Sequence, residues 1–374
     1  MPTFADIPPY VERLFAGDAA LPGLPTSADR VVVVLLDAFG KVFLDRTDHP
    51  LLRRLRSDGA VCDLDTQFPS QTTAHITTMH TGLPVGGHGL YEWNVYEPSL
   101  GRVITPMRFN YAGDREGDTL VRDGFDARDL IGTDPTLYER LAGAGVVPLV
   151  YQPARFSPST YDGGVIRGAD LRPYDDLQTA VRDALRAVAA LERGYGYVYF
   201  DAIDITGHIS GPSSEDFAAT IKYALDAVEA ALIEAAAPDT LLLLTADHGQ
   251  VDVDPAQTLW LDELYEPLAR LDLRPAGSAR DAFLHVPEAD VAATVEALAP
   301  HAEVHAVADM LAAGAFGTGV TPRLTDRLAS VCVLPPPGRM AWLRWAADPS
   351  QKFRGHHGGR TVEEASTYLA ALPL

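Results

Sequence analysis

Residues Val31–Leu36 read Val-Val-Val-Val-Leu-Leu, an apolar run without a polar break that stops at Asp37. A strand covered on one face alternates apolar and polar positions, so an unbroken run predicts a strand buried on both faces, as in a parallel sheet. Val146–Tyr151 has the same character. So do Tyr195–Phe200, which leads to Asp201 and Asp204, and Leu241–Leu244, which leads to Thr245-Ala246-Asp247-His248-Gly249. Between these runs the apolar period becomes helical. Leu177, Val181, Leu185, Val188 and Leu191 follow Asp175 and Asp176 and precede Gly194; Phe217, Ile221, Leu225, Val228 and Leu232 follow Ser213 and Ser214 and precede Pro238. A carboxylate or hydroxyl before a periodic segment caps the first free N–H groups, and Gly or Pro ends it. Strands alternating with helices predict an α/β fold, a three-layer αβα arrangement around a mostly parallel central sheet.

Two stretches break this rhythm. Residues 97–130, rich in Gly, Asp, Arg and Pro, read as long loops. Residues 255–350 offer strand-like Ala282–Val286 and Ser330–Leu334 and helices near Asp290–Leu298 and Val307–Ala313, before Pro335-Pro336-Pro337-Gly338 interrupts the chain. This predicts a smaller α+β insertion at 255–350, packed on a core built from 1–254 and 351–374.

Composition narrows the partners. The 374 residues carry 30 basic and 51 acidic side chains, a formal charge of −21. Such a surface repels nucleic acid polymers and anionic membranes, but a small anion remains admissible wherever cations sit inside a site. Cys62 and Cys332 are the only cysteines. They form neither a disulfide framework nor a zinc-finger spacing, which fits a reducing, cytoplasmic setting. Met1–Gly17 lacks a basic start followed by an apolar stretch, and no apolar run approaches the ~18 residues of a membrane span, so neither a secretory signal nor a membrane partner is expected.

The candidate chemistry lies where strands end, since open α/β sheets bind ligands beyond their carboxyl edges. Asp37, Asp204 and Asp247 occupy such places; His208 follows Asp204 by four residues, His248 follows Asp247 directly, and Gly355-His356-His357-Gly358 adds a glycine-flanked pair. Each alone has an ordinary reading, an N-cap or a turn former. Together, carboxylates and imidazoles make a ligand set for divalent cations, and two cations ~3.5–4 Å apart can clamp a phosphoryl group. A nucleophile would come from Thr72 or Thr73, in Phe68-Pro69-Ser70-Gln71-Thr72-Thr73, at the start of a helix where phosphate oxygens are favoured; either is otherwise a plain N-cap.

In order and spacing these motifs resemble the nucleotide pyrophosphatase/phosphodiesterase branch of the alkaline phosphatase superfamily. The matching residues are Asp37; Phe68-Pro69-Ser70-Gln71-Thr72, then Thr81-Gly82 and His88-Gly89; Asp204-Ile-Thr-Gly-His208-Ile-Ser-Gly-Pro212; Asp247-His248-Gly249; and Gly355-His356-His357-Gly358. The resemblance implies an alkaline-phosphatase-like fold and two metal ions, usually zinc, with manganese or iron suited to the same ligands. One ion would be held by Asp204, His208 and His357, the other by Asp37, Asp247, His248 and the hydroxyl of Thr72, and Thr72 would be the nucleophile. In the family an Asn after the His-Gly turn supports a phosphate oxygen; Asn94 is the nearest match, about one residue out of register, beside Trp93. The nucleotide-cleaving members follow the nucleophile with an aromatic residue and Asn, where this chain has Thr73-Ala74-His75, so His75 becomes a candidate phosphate donor.

Two dications against three carboxylate ligands leave a formal +1. That balance matches a phosphodiester of charge about −1 better than a monoester dianion, and no Arg is embedded beside Thr72 as in the monoesterase branch. The expected activity is in-line attack by Thr72 on a small phosphodiester or pyrophosphate substrate through a covalent phosphothreonine. A phosphonate hydrolase resembling phosphonoacetate hydrolase shares the Thr and the two metals; a phosphomonoesterase and a non-catalytic metal-binding protein are the further alternatives.

Overall fold

In the computed structural model, which describes residues 1–132 and 134–374, the Val31–Leu36 run forms the middle of a seven-stranded sheet. Its strands are β1 (Arg30–Leu36), β2 (Ala60–Asp65), β3 (Val147–Pro153), β4 (Asp170–Tyr174), β5 (Gly194–Phe200), β6 (Leu241–Thr245) and β7 (Ser366–Pro373), in the spatial order β2-β7-β6-β1-β5-β3-β4. All neighbours are parallel except β7, which runs antiparallel to β6 and to β2.

The strand period explains the three layers. Side chains alternate across a sheet, so Val31, Val33 and Leu35 enter one core while Val32, Val34 and Leu36 enter the other. The first core is covered by α1 (Ile7–Ala16) and α3 (Thr72–Thr81), the second by α2 (Pro50–Ser57), α4 (Leu177–Ala189) and α6 (Glu215–Ala235). Asp176 caps α4 by accepting from Thr179 N–H, and Ser214 caps α6 by accepting from Phe217 N–H. Each fully buried Val or Leu contributes ~1.5–3 kcal/mol of transfer free energy, and these strands supply many.

Residues 97–130 differ from the loop expectation. Val95–Glu97, Arg102–Thr105 and Asn110–Tyr111 form a three-stranded antiparallel sheet. Strands this short carry no readable period. Further on, Ala276–Ser278, Asp281–Leu284, Val331–Leu334 and Glu303–Ala306 lie side by side as a four-stranded antiparallel sheet. Its faces divide as the pleat requires: Ala282, Leu284, Val331 and Val333 pack in a cluster of their own, whereas Phe283 and Cys332 join the first core of the main sheet. Both cysteines are buried and free. Among the described residues, no helix is long and apolar enough to cross a membrane.

Candidate active site

The site grows from the carboxyl edges of β1, β5 and β6. Asp37 leaves β1 with its N–H bonded to Phe200 O at 2.9 Å. The chain then turns through Ala38, a non-glycine residue with φ of 64°. Ala38 holds this left-handed conformation while its N–H donates to Asp247 Oδ1 at 3.1 Å, and strain of this kind persists only where the surroundings fix it. Asp247 Oδ1 also accepts the His248 N–H at 3.0 Å. Beyond β5, α5 (Ala202–Ser210) carries Asp204 in its first turn and His208 one turn later. That spacing puts both side chains on one helix face, with His208 Nε2 3.4 Å from Asp204 Oδ2. His357 arrives from the loop after Gly355–His356, a two-residue strand paired antiparallel with Val251–Asp252. Thr72 opens α3, and its Oγ1 lies 3.0 Å from His248 Nε2.

Two groups of ligand atoms converge within 4.8 Å: Asp204 with His248 and His357, and Asp37 with Asp247 and His248. His248 thus stands between them, its ring stacked on His357 at 3.7 Å. His208 joins through His357, the two Nε2 atoms being 3.2 Å apart. The three imidazoles share one orientation. Nδ1 of His208 faces Gly355 O at 2.8 Å, Nδ1 of His248 faces Gly249 O at 3.1 Å, and Nδ1 of His357 faces Ser70 O at 3.0 Å. A carbonyl only accepts, so each Nδ1 carries the proton and each Nε2 turns a lone pair inward, the arrangement that orients metal-ligating histidines.

The carboxylates make the same demand. Asp37 Oδ1 and Asp247 Oδ2 are buried without a hydrogen-bond partner. Burial pushes Asp37 well above the usual carboxylate range, with Asp247 and Asp204 adding repulsion. Burial likewise pushes Asp247 to about 7, even against the Ala38 N–H that favours its charge. Asp204 behaves differently: burial would raise it, but positive charge placed on the His208 and His357 side and the Gln250 amide hold it below its ordinary value. Buried carboxylates of this kind need a counter-charge, and inward lone pairs facing one another at 3.2 Å need a cation between them. The donor set fits divalent metal ions.

A cavity of about 270 Å³ opens beside Asp37, Thr72 and Asp204. Ile76, Trp93, Met107, Phe156 and Ile205 give it apolar walls, Gln152 and Asp162 add polar groups, and Arg108 reaches it from the 97–130 stretch. Trp93 and Phe156 are each 37% exposed, so their rings are available to a ligand.

Two residues expected to bind substrate stand elsewhere. Both ring nitrogens of His75 are taken: Nε2 accepts Gln67 N–H at 2.9 Å and Nδ1 faces Gln71 O at 2.8 Å, in a fully buried ring. Asn94 is spent on structure, accepting from Thr105 Oγ1 at 2.8 Å and donating to Gly277 O at 3.3 Å. It is Trp93, one residue earlier, that lines the cavity. His80 is also buried, against Tyr138 Oη at 2.6 Å.

The model of the type I phosphodiesterase/nucleotide pyrophosphatase family matches residues 31–360. The chain belongs to this family. As a type I phosphodiesterase it is a metal-dependent hydrolase, and all the candidate ligand positions above fall within the matched span. No curated protein matches its sequence. By fold it is similar to murine ectonucleotide pyrophosphatase/phosphodiesterase 5, with a TM-score of 0.69 and 17% identity over 92% of this chain and 88% of the murine one. The inactive form of that murine protein, in complex with AMP, gives 0.68 at 17% identity over 92% and 88%. The human counterpart gives 0.68 at 17% identity over 92% and 87%.

Several residues of this type I phosphodiesterase escape a reading by motif alone. Tyr199 hydroxyl donates to Asp37 Oδ2 from the adjacent strand. Gln250, just past Asp247-His248-Gly249, donates to Asp204 Oδ1. Neither has a sequence signal beyond proximity to a motif. Gln71, inside Phe68–Thr72, did have one: its position immediately before the hydroxyl.

Proposed function

We propose that this protein hydrolyses phosphodiester or pyrophosphate bonds of small substrates, with Thr72 as the nucleophile. The observation that carries the reading is the placement of Thr72 Oγ1 against His248, where three carboxylates and three inward imidazoles meet. Asp204, His208 and His357 would hold one divalent cation, and Asp37, Asp247, His248 and Thr72 a second, with His248 close to both. Zinc suits this oxygen and nitrogen set, and manganese or iron is compatible with it. When bound, the two cations would offset the buried carboxylates, favour ionisation of the Thr72 hydroxyl and stabilise charge on the phosphoryl oxygens.

The chain's own groups do the rest. The start of α3 places Thr72 at the positive end of a helix, where phosphoryl oxygens are favoured. Thr72 Oγ1 gives up its proton to solvent and forms a bond to phosphorus as the bond to the leaving oxygen breaks, and the leaving oxygen takes a proton from solvent. Water then attacks phosphorus, its oxygen staying on the phosphate, and the released Thr72 Oγ1 takes up a proton. The adjoining cavity, apolar with Trp93 and Phe156 presented, suits an aromatic or apolar group carried by the ester. Because the murine relative is described in complex with AMP, nucleotide esters belong among the substrates compared.

The test is a rate comparison with the zinc-loaded protein on bis-p-nitrophenyl phosphate, p-nitrophenyl phosphate and phosphonoacetate. Faster cleavage of the diester is expected. Faster cleavage of the monoester or of the phosphonate would replace the diester reading by that alternative.

A further inference from the structure

A chain of buried hydrogen bonds leads away from Thr72. Gln71 Oε1 accepts the Thr72 N–H at 2.9 Å, and Gln71 Nε2 donates to Glu92 Oε1 at 2.9 Å. A capping side chain ordinarily reaches the second or third N–H of its helix. Here it reaches the first, so it holds the peptide of the proposed nucleophile itself. The other Glu92 oxygen accepts the Trp93 N–H. Glu92 and Asp281 are both fully buried, and burial pushes Glu92 up to about 7 and Asp281 well above its usual range.

Asp281 is rigidly held. It belongs to the hairpin of Ala276–Ser278 with Asp281–Leu284, and Ser278 Oγ donates to Asp281 Oδ1 at 2.6 Å. Arg280, beside it, is buried against Glu364 with both contacts at 3.0 Å and donates to the carbonyls of Pro335, Pro336 and Arg339. The hairpin also grips the segment that carries Glu92: Gly277 N–H donates to Asn94 O at 2.7 Å. The route from this hairpin to Thr72 therefore runs from Gly277 to the backbone of Asn94, and in the same segment from Glu92 through Gln71 to Thr72.

A buried carboxyl such as that of Glu92 is costly where an apolar side chain of similar volume would pack. What it supplies through Gln71 and the Trp93 N–H, and an apolar side chain would not, is direction. We infer that Glu92 is a positioning residue of the reaction, acting through Gln71 to fix the peptide of Thr72, and so the aim of Oγ1, against the hairpin at 276–284. The inference rests on the reading of Thr72 as nucleophile. It gives the antiparallel sheet at 276–334 a part in the chemistry without contact with substrate.

The test is a double-mutant cycle of Glu92→Leu and Gln71→Leu in the zinc-loaded protein, measuring kcat, KM, bound zinc and affinity for orthovanadate, which mimics the transition-state geometry. A misplacement of ~1 Å costs about 10²-fold. Each single variant should therefore lose kcat on that scale, with KM and zinc content unchanged and vanadate affinity falling in parallel. The double variant should fall no further than Gln71→Leu alone, because Glu92 acts through that residue. If Glu92→Leu does not fold, Glu92→Gln, which keeps the volume and one acceptor oxygen, takes its place in the cycle. Active wild type with kcat unchanged in the single variants, or with losses that multiply in the double variant, overturns the positioning role alone. Wild type without turnover on any phosphorus ester overturns the proposed function and this inference with it.

Discussion

Thr72 Oγ1 and His248 Nε2, 176 positions apart in sequence, lie 3.0 Å from each other at the point where β1 and β6 end. His248 is also common to both groups of converging ligand atoms. Losing it removes a donor from each proposed cation site. His248→Ala should lower bound zinc from two equivalents to one or fewer and abolish diester cleavage, with the fold retained in circular dichroism. Two tightly held equivalents in that variant would exclude His248 as a ligand.

Tyr199 clasps Asp37 by donating its hydroxyl to Oδ2. Groups that orient a metal ligand typically change affinity ~10–100-fold when removed. Tyr199→Phe deletes only the hydroxyl, so zinc affinity at the Asp37 site should weaken within that range in a competition titration while thermal stability of the chelated protein stays nearly constant. An unchanged affinity would make the clasp irrelevant to binding.

The proposed substrate pocket is the cavity walled by Trp93 and Phe156. Trp93→Ala removes an available ring, and an aromatic contact contributes about 0.5–1.5 kcal/mol beyond area. KM for bis-p-nitrophenyl phosphate should rise up to about 10-fold by that arithmetic, with much less change for methyl p-nitrophenyl phosphate bound by its methyl side. Equal changes for both esters would place Trp93 outside the substrate pocket.

Three buried histidines make the fold acid-sensitive. Burial lowers His75 to about 4 and His80 and His88 to about 3. Each is neutral in the folded protein and binds a proton near pH 6.5 once unfolded. Stability is therefore full above pH 6.5 and is lost as pH falls through the window between 6.5 and those folded values, by as much as a few kcal/mol per histidine. Urea unfolding midpoints should drop steadily from pH 7 to pH 4. The variant His80→Gln should show a shallower drop, and an identical slope would remove His80 from the acid response.

Much of this was legible in the sequence because burial on both faces leaves an unmistakable pattern. Val31–Leu36 and Leu241–Leu244 needed no neighbour to identify them, and the α/β fold follows from their alternation with capped helices. The edge strand Ala60–Asp65 and the antiparallel Ser366–Pro373 carry a weaker signal, since neither is a long β-branched run. The candidate site was legible as motifs but not as geometry. Spacing along the chain pointed to Asn94, whereas the pairing of Asn94 with Gly277 turns it into the hairpin and leaves Trp93 facing the cavity. His75 resembled a donor, but its ring is closed by two backbone groups from its own segment. Gln71 and Glu92 lie 21 residues apart, and nothing local signals that they touch.

Attack of Thr72 on phosphorus is decided by turnover of bis-p-nitrophenyl phosphate in zinc-loaded wild type and Thr72→Ala, with zinc counted in both. Hydrolysis in the wild type, none above background in Thr72→Ala, and at least one zinc retained in each is the predicted result. Undiminished turnover in Thr72→Ala would contradict it.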